Sequence, residues 1–241
     1  MKKVDIYIAA LWRQGFVKVT VDSLKNQPEF GTATITCNNH TDAQWQEMLD
    51  YRGEDNRIIL HRHDNEKCSN EKLRYVANGI NPYMGFFDND LIYPPDYLAK
   101  LMAGVDKYQA MVGLHGVVLK TGLIQSYYRD RHVFRGLMAV DKDYEVNIAS
   151  NCGIMFNREW FTKSELSEWY ERVNNVSMDD LYVAYFMKEK GIKCVVLAHE
   201  EGYTKHKQQF PEDDYVFDKH AKVVGGDVIQ TAFINDYYKK L

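Results

Sequence analysis

Apolar and polar positions alternate along the first half of the chain with two different periods. "VDIYIAAL", residues 4–11, is a nearly continuous apolar run, the pattern of a strand covered on both faces. "FVKVTVDSLKN" reads as the helix that follows, although its β-branched residues lose side-chain freedom in a helix. "TATITC" alternates Thr with Ala33, Ile35 and Cys37, the two-residue period of a strand. Thr41 and Gln44 form a capping-box pattern ahead of Trp45, Met48 and Leu49 at helical spacing. "RIILH" predicts a third strand. "NEKLRYVANGI" predicts a third helix with Leu73, Val76, Ala77 and Ile80 on one face, and "YMGFF" a fourth strand.

The second half is less regular. "AMVGL" and "GVVLK" read as two short strands flanking His115-Gly116, and "QSYYRDRHVFRGLMAVDKDYEV" as a long loop with interleaved aromatic and basic residues. "SNCGIMF" returns as a strand. "SMDDLYVAYFMKEKG" reads as a helix with Leu181, Ala184 and Tyr185 on one face and Gly191 as its C-cap, and "IKCVVLA" as a last buried strand. From about His199 the tail is polar and aromatic with little periodicity. Without repeats, low-complexity tracts or an evident linker, residues 1–241 read as one α/β domain. Its central, mainly parallel sheet is flanked by helices and joined by right-handed crossovers, in a Rossmann-like arrangement.

Composition narrows the function classes. A formal charge of -4 over 241 residues disfavours nucleic-acid binding by bulk electrostatics. Four cysteines without any C-x-x-C pairing give no zinc signature and read as reduced thiols of a cytoplasmic protein. Two lysines precede the first apolar run, but Asp5 interrupts it and no signal-peptide cleavage site follows. No apolar run reaches transmembrane length. Most of the 17 tyrosines read as core residues.

The candidate chemistry is acidic. Asp88, Asn89 and Asp90 directly follow the fourth strand, where ligands of parallel sheets sit. A carboxylate pair at such a mouth is either a solvated corner or a charge trap. Asp179 and Asp180 open a helix, where acidic residues also serve simply as charge complements of the helix dipole. Two acidic sites in this order suit sugar transfer from a nucleoside diphosphate. A divalent cation on hard oxygen ligands would neutralise the leaving diphosphate, and a separate carboxylate would take the acceptor's proton.

From Val4 to about Leu197 the sequence resembles the family 2 glycosyltransferases, single-domain enzymes of the GT-A type. "DNDLIYPPDY" resembles their D-x-D element with its proline turn. "NIASNCGIMF" resembles the strand before the acceptor site, and "SMDDLYVAYFMKEKGIKCVVL" the acidic motif, helix and strand. The resemblance implies that Asp88 and Asp90 contact Mn2+ or Mg2+, with Asp88 also reaching the donor, while Asn89 shapes the turn. Asp180 stands at the position of the catalytic base. Lys72 falls where related sequences carry a donor contact, beside its reading as a solvated helix lysine. Asn38 and Asn39 in "CNNHTD" replace the acidic turn that reads the base, and Trp12 in "AALWR" is placed to stack on that base or to pack at its rim. His206 and His220 are the late residues that could complete the metal site. His61 and His63 share a strand face but have no partner at zinc-ligand spacing and form no metal site.

The implied reaction is metal-dependent, inverting transfer from a nucleotide sugar, with UDP-sugar as the expected donor, to a saccharide or other hydroxyl. Residues 1–110 would bind the nucleotide sugar. Residues 111–241 would bind the acceptor, with the segment from Gln125 to Arg135 lining its cleft, and include the tail. Two other classes compete. A nucleotidyltransferase would need an early Gly-rich basic loop, which "LWRQGF" matches poorly. A non-catalytic nucleotide-sugar or glycan binding module would lack one of the acidic motifs.

Overall fold

The computed structural model describes residues 2–11, 14–64, 66–173, 178–206 and 227–241. Strands β1 (Val4–Leu11), β2 (Phe30–Asn38), β3 (Ile58–His63) and β4 (Tyr83–Phe87) run parallel, as their apolar patterns predict. A two-residue strand β5 (Leu91–Ile92) follows the acidic triplet. The second half supplies β6 (Met111–Leu119), β7 (Arg131–Phe134), β8 (Tyr144–Val146), β9 (Ile148–Asn157), β10 (Cys194–Val196) and β11 (Lys205–His206). Among the described residues nine strands make one sheet in the order β3-β2-β1-β4-β9-β6-β10-β8, with β7 beside β6. β9 runs antiparallel between β4 and β6, so those two strands point the same way and both bring their carboxyl ends to the same edge.

Helices cover both faces. On one, α1 (Gln14–Lys25) and α3 (Tyr97–Tyr108) pack Val17, Val21, Leu98 and Leu101 against Val4, Ile6, Ile8 and Ala10. On the other, α4 (Lys163–Arg172), α5 (Asp179–Glu189) and α6 (Val228–Asp236) pack Leu166, Trp169, Leu181 and Phe233 into the cluster that holds Tyr7, Met84 and Phe86. Burial of each such side chain contributes roughly 1.5–3 kcal/mol. Helix α2 (Asp42–Arg52) begins with the expected capping box: Thr41 Oγ1 accepts from Gln44 N, and Gln44 Oε1 from Thr41 N.

Asp5, the acid within the first apolar run, is buried and fully occupied. It accepts from Thr32 Oγ1 (2.7 Å), Ile80 N (2.8 Å), Asn81 N (2.9 Å) and Asn81 Nδ2 (2.6 Å). A carboxylate so bonded can remain inside a core, and here it fixes the turn that feeds β4.

Several elements differ from the sequence reading. The third helix is a 3₁₀ helix over Cys68–Asn78, and Ile80 lies beyond it with 79% of its surface exposed. The strands around His115-Gly116 are one strand, Met111–Leu119. Gly116 keeps it continuous because a Cβ there would stand 2.5 Å from Val196 Cγ2, so only glycine lets β10 close against it. The long excursion contains β7 and β8, and the tail contains α6.

Candidate active site

Asp88 emerges from β4 just after Phe87, whose ring packs on Tyr93 and Tyr97 at centroid distances of 5.4 and 6.1 Å. Its Oδ2 accepts a hydrogen bond from Cys152 N at 3.1 Å. Cys152 lies in the middle of β9, where amides normally belong to the ladder. This one is released because Cys152 and Gly153 both adopt left-handed backbone angles (φ 68 and 89) where the β6 register slips. The Tyr97 hydroxyl donates to the Cys152 carbonyl and holds the kink. A non-glycine residue with positive φ is strained, and such strain concentrates at functional sites.

Burial and the neighbouring Asp90 push the Asp88 carboxyl up to about 6, against the pull of Lys72. Two carboxylates held together in this way fit a divalent cation, which would relieve their repulsion. Among the described residues no three acidic, His or Cys side chains converge to hold an ion by themselves.

Lys72 is buried, not a solvated helix lysine. Its Nζ lies 2.8 Å from Asp179 Oδ2, with side-chain exposures of 5% and 14%. It leans over the Phe86 ring at 5.7 Å and acts electrostatically on Asp88. Lys72 therefore bridges the acid after β4 and the acid opening α5. Asp180 points elsewhere, as adjacent helical residues must. It is 4% exposed, and its Oδ1 accepts from Leu181 N at 3.1 Å. Burial first, and then Asp179, raise its carboxyl to about 7, while Arg131 opposes them. A carboxyl tuned to neutral pH is suited to proton transfer.

Asp179 is thus more than a helix-terminal charge. Asp179→Asn should strand the Lys72 ammonium in the interior and lower stability by about 3 kcal/mol, the usual loss when one partner of a buried pair is removed. It should also move the pH midpoint of activity downward, because it deletes a charge that raises the Asp180 carboxyl. Chemical denaturation together with a pH–rate profile would measure both. An unchanged midpoint would show that Asp179 does not act on Asp180.

Residues 5–164 match the sequence profile described as Glycosyl transferase family 2. The chain belongs to that family. No curated protein matches it. Solved structures agree on the fold. The 1–349 region of S. aureus TarS has a TM-score of 0.55 at 15% identity, over 83% of this chain and 59% of that one. GalNAc-T7 with UDP, GalNAc and Mn2+ gives 0.61 at 10%, over 90% and 46%. The mannosyltransferase PcManGT from Pyrobaculum calidifontis with GDP-Man and Mn2+ gives 0.52 at 12%, over 84% and 55%. The family 2 chain thus spans about half to three fifths of these structures, which share its GT-A fold.

In this family 2 chain, Asn38 and Asn39 do different things. Asn38 is buried and ties β2 to the 3₁₀ helix through Nδ2 to Cys68 O at 2.9 Å, whereas Asn39 is exposed in a left-handed turn (φ 53). A cavity of about 470 Å3 opens there, past the ends of β2 and β3, lined by residues including Asn39, His40, His63, Glu71 and Arg74. His40 and Glu71 were not singled out in the sequence. His40 Nδ1 lies 3.2 Å from the Asn38 carbonyl, which can only accept, so Nδ1 carries the proton. Burial lowers its pKa, and the neutral ring leaves a buried Nε2 lone pair without a partner in the structure. Glu71 is buried and engaged: its Oε2 lies 3.5 Å from Arg74 Nε, and its Oε1 accepts from Lys67 N and the Tyr170 hydroxyl. The Arg74 guanidinium is held between Glu71 and the Tyr170 ring, so the cavity wall is an ion pair braced on an aromatic face.

His206 pairs through its backbone with Leu91, one residue past Asp90, so the late strand β11 closes over the acidic turn. Trp12 and His220 lie outside the described residues. The His61 and His63 rings pack with Tyr75, His61 stacked on it at 3.6 Å and His63 Nε2 2.5 Å from its hydroxyl. All four cysteines are free. No helix of the described residues is long and apolar enough to cross a membrane.

Proposed function

We propose that this family 2 glycosyltransferase moves a sugar from a nucleoside diphosphate donor, a UDP-sugar, to an acceptor hydroxyl by a single inverting displacement with Asp180 as the base. The observation that carries this reading is the division of labour at the start of α5. Asp179 is ion-paired with Lys72, while Asp180 is buried and tuned to about 7. The acceptor proton passes to the Asp180 carboxylate, and the acceptor oxygen bonds to the anomeric carbon from the face opposite the diphosphate. The sugar–diphosphate bond breaks, its electron pair leaves with the diphosphate, and the anomeric configuration inverts. Asp88 and Asp90 would hold Mn2+ or Mg2+, whose charge neutralises the departing diphosphate when bound.

Lys72 would add fixed positive charge on the inner side of that site. The cavity past β2 and β3 would take the base and ribose, with Asn39 and His40 at its rim. The neighbours support a nucleoside diphosphate donor: TarS has been solved with UDP-GlcNAc, GalNAc-T7 with UDP and Mn2+, and PcManGT with GDP-Man and Mn2+. Free thiols throughout suit a reducing, cytoplasmic setting.

Incubating the protein with a panel of nucleotide sugars and Mn2+, and measuring free nucleoside diphosphate, tests the proposal. One donor should be turned over slowly with water as acceptor, and chelation should stop the release. Pyrophosphate release from a nucleoside triphosphate and a sugar phosphate would make the protein a nucleotidyltransferase instead. Tight nucleotide-sugar binding without turnover would make it a binding module.

A further inference from the structure

Among the described residues eight large apolar side chains are exposed, and five of them gather on one layer: Leu123, Val228, Ile229, Tyr237 and Leu241. The packing of α6 explains why. Asp227, Thr231 and Asn235, spaced one turn apart, bind the loop from Ile124 to Tyr128. Asp227 accepts from Ser126 Oγ (2.5 Å) and Tyr128 N (3.2 Å), Thr231 Oγ1 from Tyr127 N (2.9 Å), and Asn235 Oδ1 from Ile124 N (3.0 Å). Gln230, Phe233 and Ile234 are buried against the core. At about 100° per residue, Val228 and Ile229 are left on the outer side, where both are more than half exposed. Leu123, 80% exposed, stands beside the left-handed turn at Gly122 (φ 70), whose carbonyl accepts from Lys239 Nζ. Tyr237 and Leu241 follow the helix, again more than half exposed.

The layer is also cationic, in a chain whose formal charge is -4. Lys120, Arg129, Lys188, Lys239 and Lys240 flank it, against the acids Asp130, Asp227 and Asp236. Lys120 pairs with Asp130 (2.6 Å) and Lys240 with Asp236 (3.5 Å), while Arg129 acts on Asp227. Lys188 and Lys239 give their hydrogen bonds to backbone carbonyls, Lys188 to Tyr238 O (2.7 Å) and Lys239 to Lys120 O (2.7 Å) and Gly122 O. Those acceptors carry no net charge, so the local balance stays positive. A second copy docked face to face would set these cations against their own copies. An anionic lipid surface offers the opposite charge together with an apolar interior. Leucine, isoleucine, tyrosine and lysine mixed on one exposed layer suit a bilayer interface, with aliphatic groups and rings inward and ammoniums at the headgroups.

We infer that this face docks on an anionic lipid bilayer, with Leu123, Val228 and Ile229 entering the interface and Lys239 and Lys240 meeting the headgroups. The loop that carries Leu123 runs on into the segment from Gln125 to Arg135, so docking holds that segment at the surface. The inference goes beyond the glycosyltransferase reading and does not depend on it.

The test sediments the full chain with vesicles of phosphatidylcholine alone, and of phosphatidylcholine mixed with phosphatidylglycerol, at about 0.1 M salt. The wild-type protein should bind the anionic vesicles and leave the neutral ones largely free. Leu123→Gln should weaken that binding about tenfold, and Lys240→Gln about fivefold, the worth of one cation near such a surface. Ile80→Gln is the control. Ile80 is as exposed as Leu123 but precedes β4, whereas Leu123 follows the parallel strand β6, so the two lie toward opposite ends of the sheet. Its replacement should change binding less than about twofold, and all three exposed substitutions should leave the thermal melt in place. No binding to either vesicle, equal binding to both, or Leu123→Gln binding as well as Ile80→Gln would overturn the inference. So would a dimer in sedimentation velocity that Leu123→Gln dissolves, because the face would then belong to a second copy. Sugar transfer is read in a separate assay, so failure of either reading leaves the other standing.

Discussion

Asp180→Asn should leave nucleoside diphosphate binding within a few fold and lower sugar transfer by roughly two to four orders of magnitude. The substitution keeps shape and volume but removes the site for the proton. Because the Asp180 carboxyl titrates at about 7, wild-type transfer should climb as pH rises through neutrality and level off above it. A cation at Asp88 and Asp90 would offset the Asp88 charge and draw that midpoint lower. The same residue governs stability with a definite sign. Its native pKa lies above the ordinary carboxylate value, so its contribution is full below about pH 4 and is lost as pH rises through about 7. Asparagine has no charge to desolvate. At pH 8 the inactive variant should therefore unfold later than the wild type, by at most roughly 4 kcal/mol. Transfer rates and denaturation curves at pH 5 and pH 8 would measure both effects. Near-full transfer by the variant would move the base elsewhere, and a variant less stable than the wild type at pH 8 would contradict the raised, buried carboxyl.

Asp90→Ala should abolish Mn2+-dependent nucleoside diphosphate binding, with affinity falling about a hundredfold or more and little change in folding. Asp88→Ala should lose the same binding but not so cleanly. Its carboxylate also receives the Cys152 amide, and leaving that N–H unpaired adds a stability loss of about 1–3 kcal/mol. Calorimetric titration of UDP with and without Mn2+, paired with thermal melts, separates the two variants. Unchanged affinity and metal dependence in Asp90→Ala would remove the donor site from this turn.

What the sequence revealed followed from local rules. The Asp88–Asp90 turn stands out because acids follow an apolar run, and α2 because its cap and its helical spacing agree. The early strands carry their own period-two or all-apolar patterns. The misses depend on partners far along the chain. Lys72 reads as a surface helix residue until Asp179, more than a hundred positions away, closes on it. His115-Gly116 reads as a break, yet those residues lie inside a strand because β10 needs the missing Cβ. Cys68–Asn78 has helical spacing but forms a tighter 3₁₀ helix, and its apolar face stops before Ile80. Arg131 had no period to mark it. Only the fold shows it stacked on the Tyr127 and Tyr128 rings and acting on Asp180, about fifty positions away.

The left-handed pair at Cys152 and Gly153 also bears on the order in which the molecule folds. The amide that braces Asp88 belongs to a residue 64 positions later, and the tyrosine that locks the kink is 55 positions from its acceptor. Neither contact can exist until β9 has inserted between β4 and β6, a closure of long chain loops that comes at high entropic cost. The parallel units β1 to β4 can pair earlier through short connections, but they present an acidic turn without its brace. The brace on Asp88 thus arrives only with a non-local strand. A ligand that binds only the completed turn stabilises the native state over any species that has lost β9.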